Sequence, residues 1–175
     1  MSVLRFIRLT QALAGAAIVI MAMNLGGCSR GTTEQGYSPR VVAFGQPVPK
    51  GGGQFKLGSP YVVAGVQYVP RHEPRYDRNG IASWYGEDFH GRLTANGEVY
   101  DMDALSAAHP TLPLPSMVRV TNLATGQTID LRINDRGPFK PGRIIDLSRR
   151  AAHSLGILRQ GTARVRVRYL GPAPL

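Results

Sequence analysis

Gln127-Thr128-Ile129-Asp130-Leu131-Arg132-Ile133-Asn134-Asp135-Arg136-Gly137-Pro138-Phe139 is an alternating segment that runs into a turn. Ile129, Leu131 and Ile133 recur at every second residue, the period of a strand with one face in a core. Gly137-Pro138 ends it, which puts Asp135 at the rim of whatever sheet the strand joins. Upstream, Ala124-Thr125-Gly126 is a turn leading back to a second strand, Met117–Asn122. Ile81–Tyr85 is strand-like, Asn96-Gly97 marks a tight turn, and Tyr61–Val69 is strand-like with a turn at Ala64-Gly65. Downstream, Ile144–Leu147 is a short apolar strand. Ser148 is a good N-cap for a helix through Leu155, stopped by Gly156. Ala163–Leu170 alternates and closes the chain as its last strand. Many short strands with one or two short helices predict a small, mainly β barrel, and no internal repeat is visible.

The N-terminus is an address label. Arg5 and Arg8 are the only charges before Cys28. The apolar run from Leu9 to Met23 is too short for a membrane span, which needs about 20 residues. It ends in Leu25-Gly26-Gly27-Cys28, the pattern of a lipobox. Residues 1–27 are therefore expected to be a lipoprotein signal peptide, with Cys28 as the lipidated residue. Ser29, in place of an aspartate, leans towards the periplasmic face of the outer membrane. Cys28 is the only cysteine of the chain, so no internal disulfide is expected. Residues 28–58, rich in Gly, Pro, Ser, Thr and Gln, are expected to be a flexible tether. Residues 59–79 are expected to be an extension packed on a barrel of residues 80–171.

The formal net charge is +10. Nucleic acid is the usual partner of a basic chain, and export argues against it. The anionic polymers of an envelope are peptidoglycan and lipopolysaccharide. Arg164, Arg166 and Arg168 alternate along the last strand, either as a binding stripe or as the solvated face of a sheet. His72, His90, His109 and His153 share no metal-ligand spacing, so neither a metal nor any other cofactor is expected.

Several blocks between residues 82 and 148 carry a resemblance. They are Ala82-Ser83-Trp84-Tyr85-Gly86, Phe89-His90-Gly91-Arg92-Leu93-Thr94-Ala95-Asn96-Gly97-Glu98, Tyr100-Asp101 and Ala107-Ala108-His109. They continue with Leu112-Pro113-Leu114-Pro115, Val118-Arg119-Val120-Thr121-Asn122, Ile133–Phe139 and Arg143–Ser148. In this order and spacing they resemble the rare lipoprotein A family, over roughly residues 59 to 170. The resemblance implies a six-stranded double-psi β-barrel, related to barwin and expansin domains. It further implies lytic transglycosylation of peptidoglycan, cutting the β-1,4 bond from N-acetylmuramic acid to N-acetylglucosamine with a 1,6-anhydro product. Many relatives continue into a SPOR-type domain after the barrel. The sequence stops at Leu175, so septal targeting by that route is not expected.

That reaction needs one carboxyl group to protonate the leaving oxygen, and the sugar's own 6-hydroxyl serves as nucleophile. Asp135 suits the role if partial desolvation raises its pKa; alternatively it hydrogen-bonds turn amides, as Asx residues do. The family motifs imply Glu98 and His109 as its catalytic neighbours. Glu98 is either a second functional carboxylate or a solvated turn residue. His109 either orients the acid and binds sugar, or packs locally. Trp84 and Tyr85 either stack on sugar rings or belong to the core. Arg136 pairs with a lactyl carboxylate of the substrate or with a neighbouring acid, and Asp101 is a weaker substrate-binding candidate. The expected partners are peptidoglycan strands and, through the lipid, a membrane; divisome or wall-enzyme partners are unidentified. The rival reading is a non-catalytic peptidoglycan-binding lipoprotein, and a third is an expansin-like loosening protein.

Overall fold

The computed structural model describes residues 38–175. The leader, Cys28 and the first part of the expected tether lie outside the described residues. The elements are β1 (Tyr61–Val63), β2 (Val66–Tyr68), β3 (Asp77–Tyr85), β4 (Ser106–Ala108), β5 (Ser116–Asn122), β6 (Thr128–Asp135), β7 (Arg143–Ser148), α1 (Arg149–Ser154) and β8 (Ala163–Pro172). β1 and β2 pair as a hairpin. The other six strands close into a barrel in the order β3-β7-β4-β6-β5-β8, with β8 returning to β3. Two pairs are parallel, β3 with β7 and β4 with β6; the rest are antiparallel. This is the expected six-stranded double-psi barrel.

Period-two patterning builds its interior. Val118 and Val120 of β5, Leu131 and Ile133 of β6, Ile145 and Leu147 of β7, and Val165 and Val167 of β8 are all fully buried. Ala82 and Ala107 fill the narrower places on β3 and β4. The ring is therefore packed with aliphatic side chains, each contributing about 1.5–3 kcal/mol by leaving water. Ser148 caps α1 as expected, its Oγ accepting from Ala151 N and donating to Ala104 O at 2.6 Å. Gly156, at φ +71°, follows the helix.

Two boundaries differ from expectation. β3 begins at Asp77, inside the segment read as an extension, because Asp77 to Ala82 pair with Arg168 to Ala163 of β8. The larger difference concerns residues 38–58, which were read as part of a flexible tether. They form a strap hydrogen-bonded to the barrel. Val41 and Val42 donate to Gly91 O, Gln54 N donates to Asn96 O at 2.9 Å, and Lys56 exchanges both main-chain bonds with Leu114. The Arg40 guanidinium donates to His90 O and Asp88 O and lies 4.2 Å over the Phe44 ring. Main-chain pairing, which composition does not display, holds this segment.

Gly91 is where the strap comes closest. Its φ is +77°, and a Cβ there would sit 2.1 Å from Val42 O. Gly91→Ala should therefore dislodge residues 40–46. Limited proteolysis with trypsin should show faster cleavage after Arg40 in the variant than in the parent chain.

Candidate active site

Asp135 owes its direction to a bulge. Ala107 pairs with Ile133 and Ala108 with Asp135, so Asn134 and Asp135 together oppose one residue of β4. Such an extra residue re-aims the side chains that follow it. Ile133 stays in the core, while Asn134 and Asp135 both leave it. The turn over residues 94–98 then receives the aspartate. Ala95 N and Arg136 N each donate to Asp135 Oδ1 at 2.8 Å. Oδ2 takes no hydrogen bond from the described residues. Burial pushes the carboxyl up to about 6, against the opposing pull of the two amides, Arg136 and Lys56. The turn-amide bonds expected as one reading are therefore present on Oδ1, alongside the desolvation the other reading required.

Glu98 has the opposite environment. Burial alone would raise its pKa, but hydrogen bonds from Arg132, Asn134 and Asn96 outweigh it and hold the carboxyl below the usual glutamate value. Arg132 Nε and Nη2 bind both carboxylate oxygens, Asn134 Nδ2 donates to Oε2, and Asn96 Nδ2 donates to Oε1, the last two at 2.9 Å. Glu98 is thus an ionised anchor, 7% exposed, and not the solvated turn residue of the bland reading.

His109 is 1% exposed. Its Nδ1 accepts from Thr111 N and Leu112 N, so Nε2 carries the proton and meets the Tyr76 hydroxyl at 2.9 Å. Burial depresses its pKa to about 3, helped by Arg136 and Arg78. The ring therefore holds no nitrogen free for acid–base work. Its contribution to the site is through the main chain, where His109 N donates to Asp135 O at 3.0 Å.

Of the two expectations for Arg136, a lactyl carboxylate of the substrate or a neighbouring acid, the second is not met among the described residues. Arg136 instead binds three main-chain carbonyls: Leu112 O at 2.6 Å, Leu57 O at 2.7 Å and His109 O at 3.2 Å. These carbonyls were unassignable from sequence, and they make Arg136 a clamp between the strap, the loop after β4 and Asp135. Asp101 caps its own turn, accepting from Asp103 N at 2.9 Å. No hydrogen bond joins Asp101 to Asp135.

The aromatic expectations also change. Trp84 packs against the hydrophobic core. Tyr85 stacks on Tyr100 at 4.2 Å and meets Phe89 edge-on, with its hydroxyl buried. Both rings are only part-exposed, so the core reading holds for much of each side chain. Three other aromatics do gather beside the aspartate turn. Tyr61 and Tyr68 of the β1–β2 hairpin stack at 5.4 Å, and Phe139 stands edge-on to both. Phe139 is 37% exposed and follows Asp135 by four residues. A second acid was missed as well. Asp146 pairs with Ala108, which pairs with Asp135, so the two aspartates stand two strands apart, about 10 Å between their backbones. Burial raises Asp146, opposed by Ser83 and Arg143. Only the cross-strand register brings this acid to the site.

A family model described as "Lytic transglycolase" matches residues 77–167. The chain belongs to the rare lipoprotein A family of these proteins. It is 52% identical over 127 residues to the endolytic peptidoglycan transglycosylase RlpA of Pseudomonas aeruginosa strain PAO1, covering 72% of this chain and 36% of that one. Identity to the protein of the same name from Neisseria meningitidis strain MC58 is 52% over 113 residues, covering 64% and 47%. For that of Rickettsia typhi it is 41% over 160 residues, covering 87% and 50%. The chain thus spans between about a third and a half of the length of these curated relatives. Among solved structures, the Streptomyces papain inhibitor aligns at a TM-score of 0.44 and 22% identity, covering 54% of this chain and 94% of that one.

Two measurements check the electrostatics. Burial pushes the Asp135 carboxyl up to about 6, above the ordinary aspartate value of about 3.8, so folding favours its protonated form. The stability it contributes is fully present below about pH 4 and is lost as pH rises through about 6. The melting temperature of Asp135→Asn should therefore gain on that of the parent between pH 4 and pH 7; a constant difference would contradict the raised pKa. For His109, nitrogen NMR should find the neutral, Nε2-protonated ring from pH 7 down to pH 4.

Proposed function

We propose that the protein is a lytic transglycosylase that cuts the β-1,4 bond between N-acetylmuramic acid and N-acetylglucosamine in peptidoglycan strands. The observation that carries this reading is the division between two neighbouring carboxyls. Asp135 holds a proton up to about pH 6 on a side chain with one unengaged oxygen, while Glu98 stays ionised. Separated pKa values of this kind assign the acid. The relatives' names supply the polymer.

The chemistry follows from one proton. Asp135 gives it to the glycosidic oxygen, and the C1–O bond breaks with the electron pair leaving on the N-acetylglucosamine. Charge then develops at C1 of the muramic acid ring. The resulting Asp135 carboxylate takes the proton from the C6 hydroxyl, whose oxygen bonds to C1 and closes the 1,6-anhydro ring. Proton and bond counts balance without water, and Asp135 ends as it began. Glu98 keeps the 94–98 turn in place, so that Ala95 N holds Asp135 Oδ1 and leaves Oδ2 to face the substrate. The Tyr61, Tyr68 and Phe139 group offers apolar surface for a sugar ring nearby.

The same proposal includes place and purpose. Lipidated at Cys28, the protein would act from the periplasmic face of the outer membrane on the wall beneath it. Its role there would be wall remodelling or daughter-cell separation.

Peptide-free glycan strands incubated with the protein should yield anhydromuramic ends by mass spectrometry, and Asp135→Asn should reduce the rate by a factor of at least about 100. Because the acid must start protonated, kcat/KM should fall about tenfold per pH unit above about 6. Strands bound at every pH but never shortened would establish the non-catalytic reading instead.

A further inference from the structure

The strap brings one charge to the acid. Lys56 exchanges both main-chain bonds with Leu114, and the carbonyl of the next residue, Leu57, accepts from Arg136 at 2.7 Å. The backbone that carries Lys56 is thereby fixed, and its side chain ends on the 94–98 turn. Lys56 Nζ donates to Ala95 O at 2.9 Å, and Ala95 N donates to Asp135 Oδ1 at 2.8 Å. Because the N and O of one residue lie close together, the two bonds keep the ammonium within about 9 Å of the acid. The Lys56 charge is felt there: with Arg136 it pulls the Asp135 carboxyl down against burial.

Among the described residues, three cations reach the turn and the acid, and two of them are spent. Arg132 binds the Glu98 carboxylate and Pro174 O, and Arg136 binds the carbonyls of Leu57, His109 and Leu112. Lys56 is exposed, and one of its three N–H donors is engaged. No second hydrogen bond and no ion pair to its Nζ occurs among the described residues. An ammonium open to solvent, with donors left over, complements a carboxylate.

The glycan strand offers carboxylates at alternate sugars only. N-acetylmuramic acid carries an acidic arm at C3, and N-acetylglucosamine carries none. We propose that Lys56 is a substrate-binding residue, its ammonium pairing with a carboxylate on the arm of the muramic acid whose C1–O bond is broken. The proposal rests on the peptidoglycan reading for its substrate. C3 is two ring atoms from C1, so a cation close to the acid meets the arm when muramic acid is the sugar to be released at C1. With the strand shifted by one sugar, N-acetylglucosamine takes that place and Lys56 meets no anion. One ion pair thus selects which of the two alternating bonds reaches Asp135. The arm has two sources of the charge: the lactyl carboxylate where no peptide is attached, and the carboxylates of the stem peptide where one is.

The test measures binding by calorimetry in the full chain carrying Asp135→Asn, which keeps the strands intact. The probes are peptide-free glycan strands, the same strands with their lactyl carboxylates converted to methylamides, and strands that bear stem peptides. Peptide-free strands should bind roughly three- to fivefold more tightly than their methylamides, the range of an exposed ion pair, and high salt should erase the difference. Lys56→Met should erase it too while leaving the affinity for the methylamide unchanged, and Lys56→Arg should retain it. If Lys56→Met weakens the peptide-bearing strands alone, the carboxylate is the stem peptide's. The proposal is overturned if Lys56→Met leaves both charged probes bound as before. It is equally overturned if that variant weakens all three probes alike, the result expected of a lysine that only holds the turn through Ala95 O. Cleavage by the chain with Asp135 intact keeps the two readings apart: Lys56-dependent binding without anhydromuramic ends removes the enzyme and leaves the residue. Anhydromuramic ends formed at the same KM by Lys56→Met and the parent do the reverse.

Discussion

The Glu98 carboxylate, buried against Arg132, Asn134 and Asn96, is the interaction on which the rest of the site depends. Ala95 is the one apolar side chain of the 94–98 turn that packs against the core, and it is small. The anion joins the turn to β6 through both side chains that flank Ile133, alongside the bonds from Asn96 N to Asn134 O and from Ala95 N to Asp135 Oδ1. The same turn presents Ala95 N to Asp135 and accepts Gln54 N and the Lys56 ammonium from the strap. Removing one partner of a buried, hydrogen-bonded ion pair costs about 3–5 kcal/mol, because the other charge stays behind unpaired. Here that cost would fall on the placement of the turn before it reached the barrel, whose aliphatic interior is separate. Glu98 therefore supports the acid through geometry, without exchanging a proton.

The barrel was legible where burial is one-sided. β5, β6 and β8 alternate because one face meets the core and the other meets solvent, and the boundaries read from them fall within a residue or two of those found. β4 left no such trace. Ser106-Ala107-Ala108 is three small residues long, lies between β7 and β6, and is buried at all three positions. Small residues are required there, and small residues carry no period. The strap was misread for a related reason. Its glycines and prolines do predict an inability to form a core, but residues 38–58 form none. They add main-chain hydrogen bonds to surfaces the barrel already provides, at Gly91, Asn96 and Leu114.

Site residues divide along the same line. Asp135 was legible because its position is local: an alternating strand, then Gly-Pro. The bulge that aims it belongs to β4 and β6 together and could not be read from either alone. His109 and Arg136 were identified as belonging near the acid, and both do. Their roles were not legible, because each binds main-chain atoms, and every residue offers the same main-chain atoms to a sequence reader. Tyr61, Tyr68 and Phe139 were missed as a group since the hairpin lies far from the aspartate turn in sequence, and tertiary contacts bring it close: Arg136 on Leu57 O, the Tyr61 hydroxyl on Pro110 O, and the ring contacts with Phe139.

The three carboxyl groups around β6 show why proximity to an acid says little about function until its hydrogen bonds are counted. Glu98 receives four donor groups and stays charged. Asp146 receives a hydroxyl and a guanidinium, which temper but do not cancel its burial. Asp135 receives two amides, both on one oxygen, and burial prevails. Amides carry no net charge, so they orient a carboxyl more than they ionise it, whereas a guanidinium does both. Had Arg136 turned towards Asp135 Oδ2, as the sequence reading allowed, the acid would be ionised at every pH of interest. Its turn towards Leu112, His109 and Leu57 instead leaves that oxygen free to keep a proton. Burial can thus raise Asp135 because the neighbouring guanidinium is spent on main-chain carbonyls.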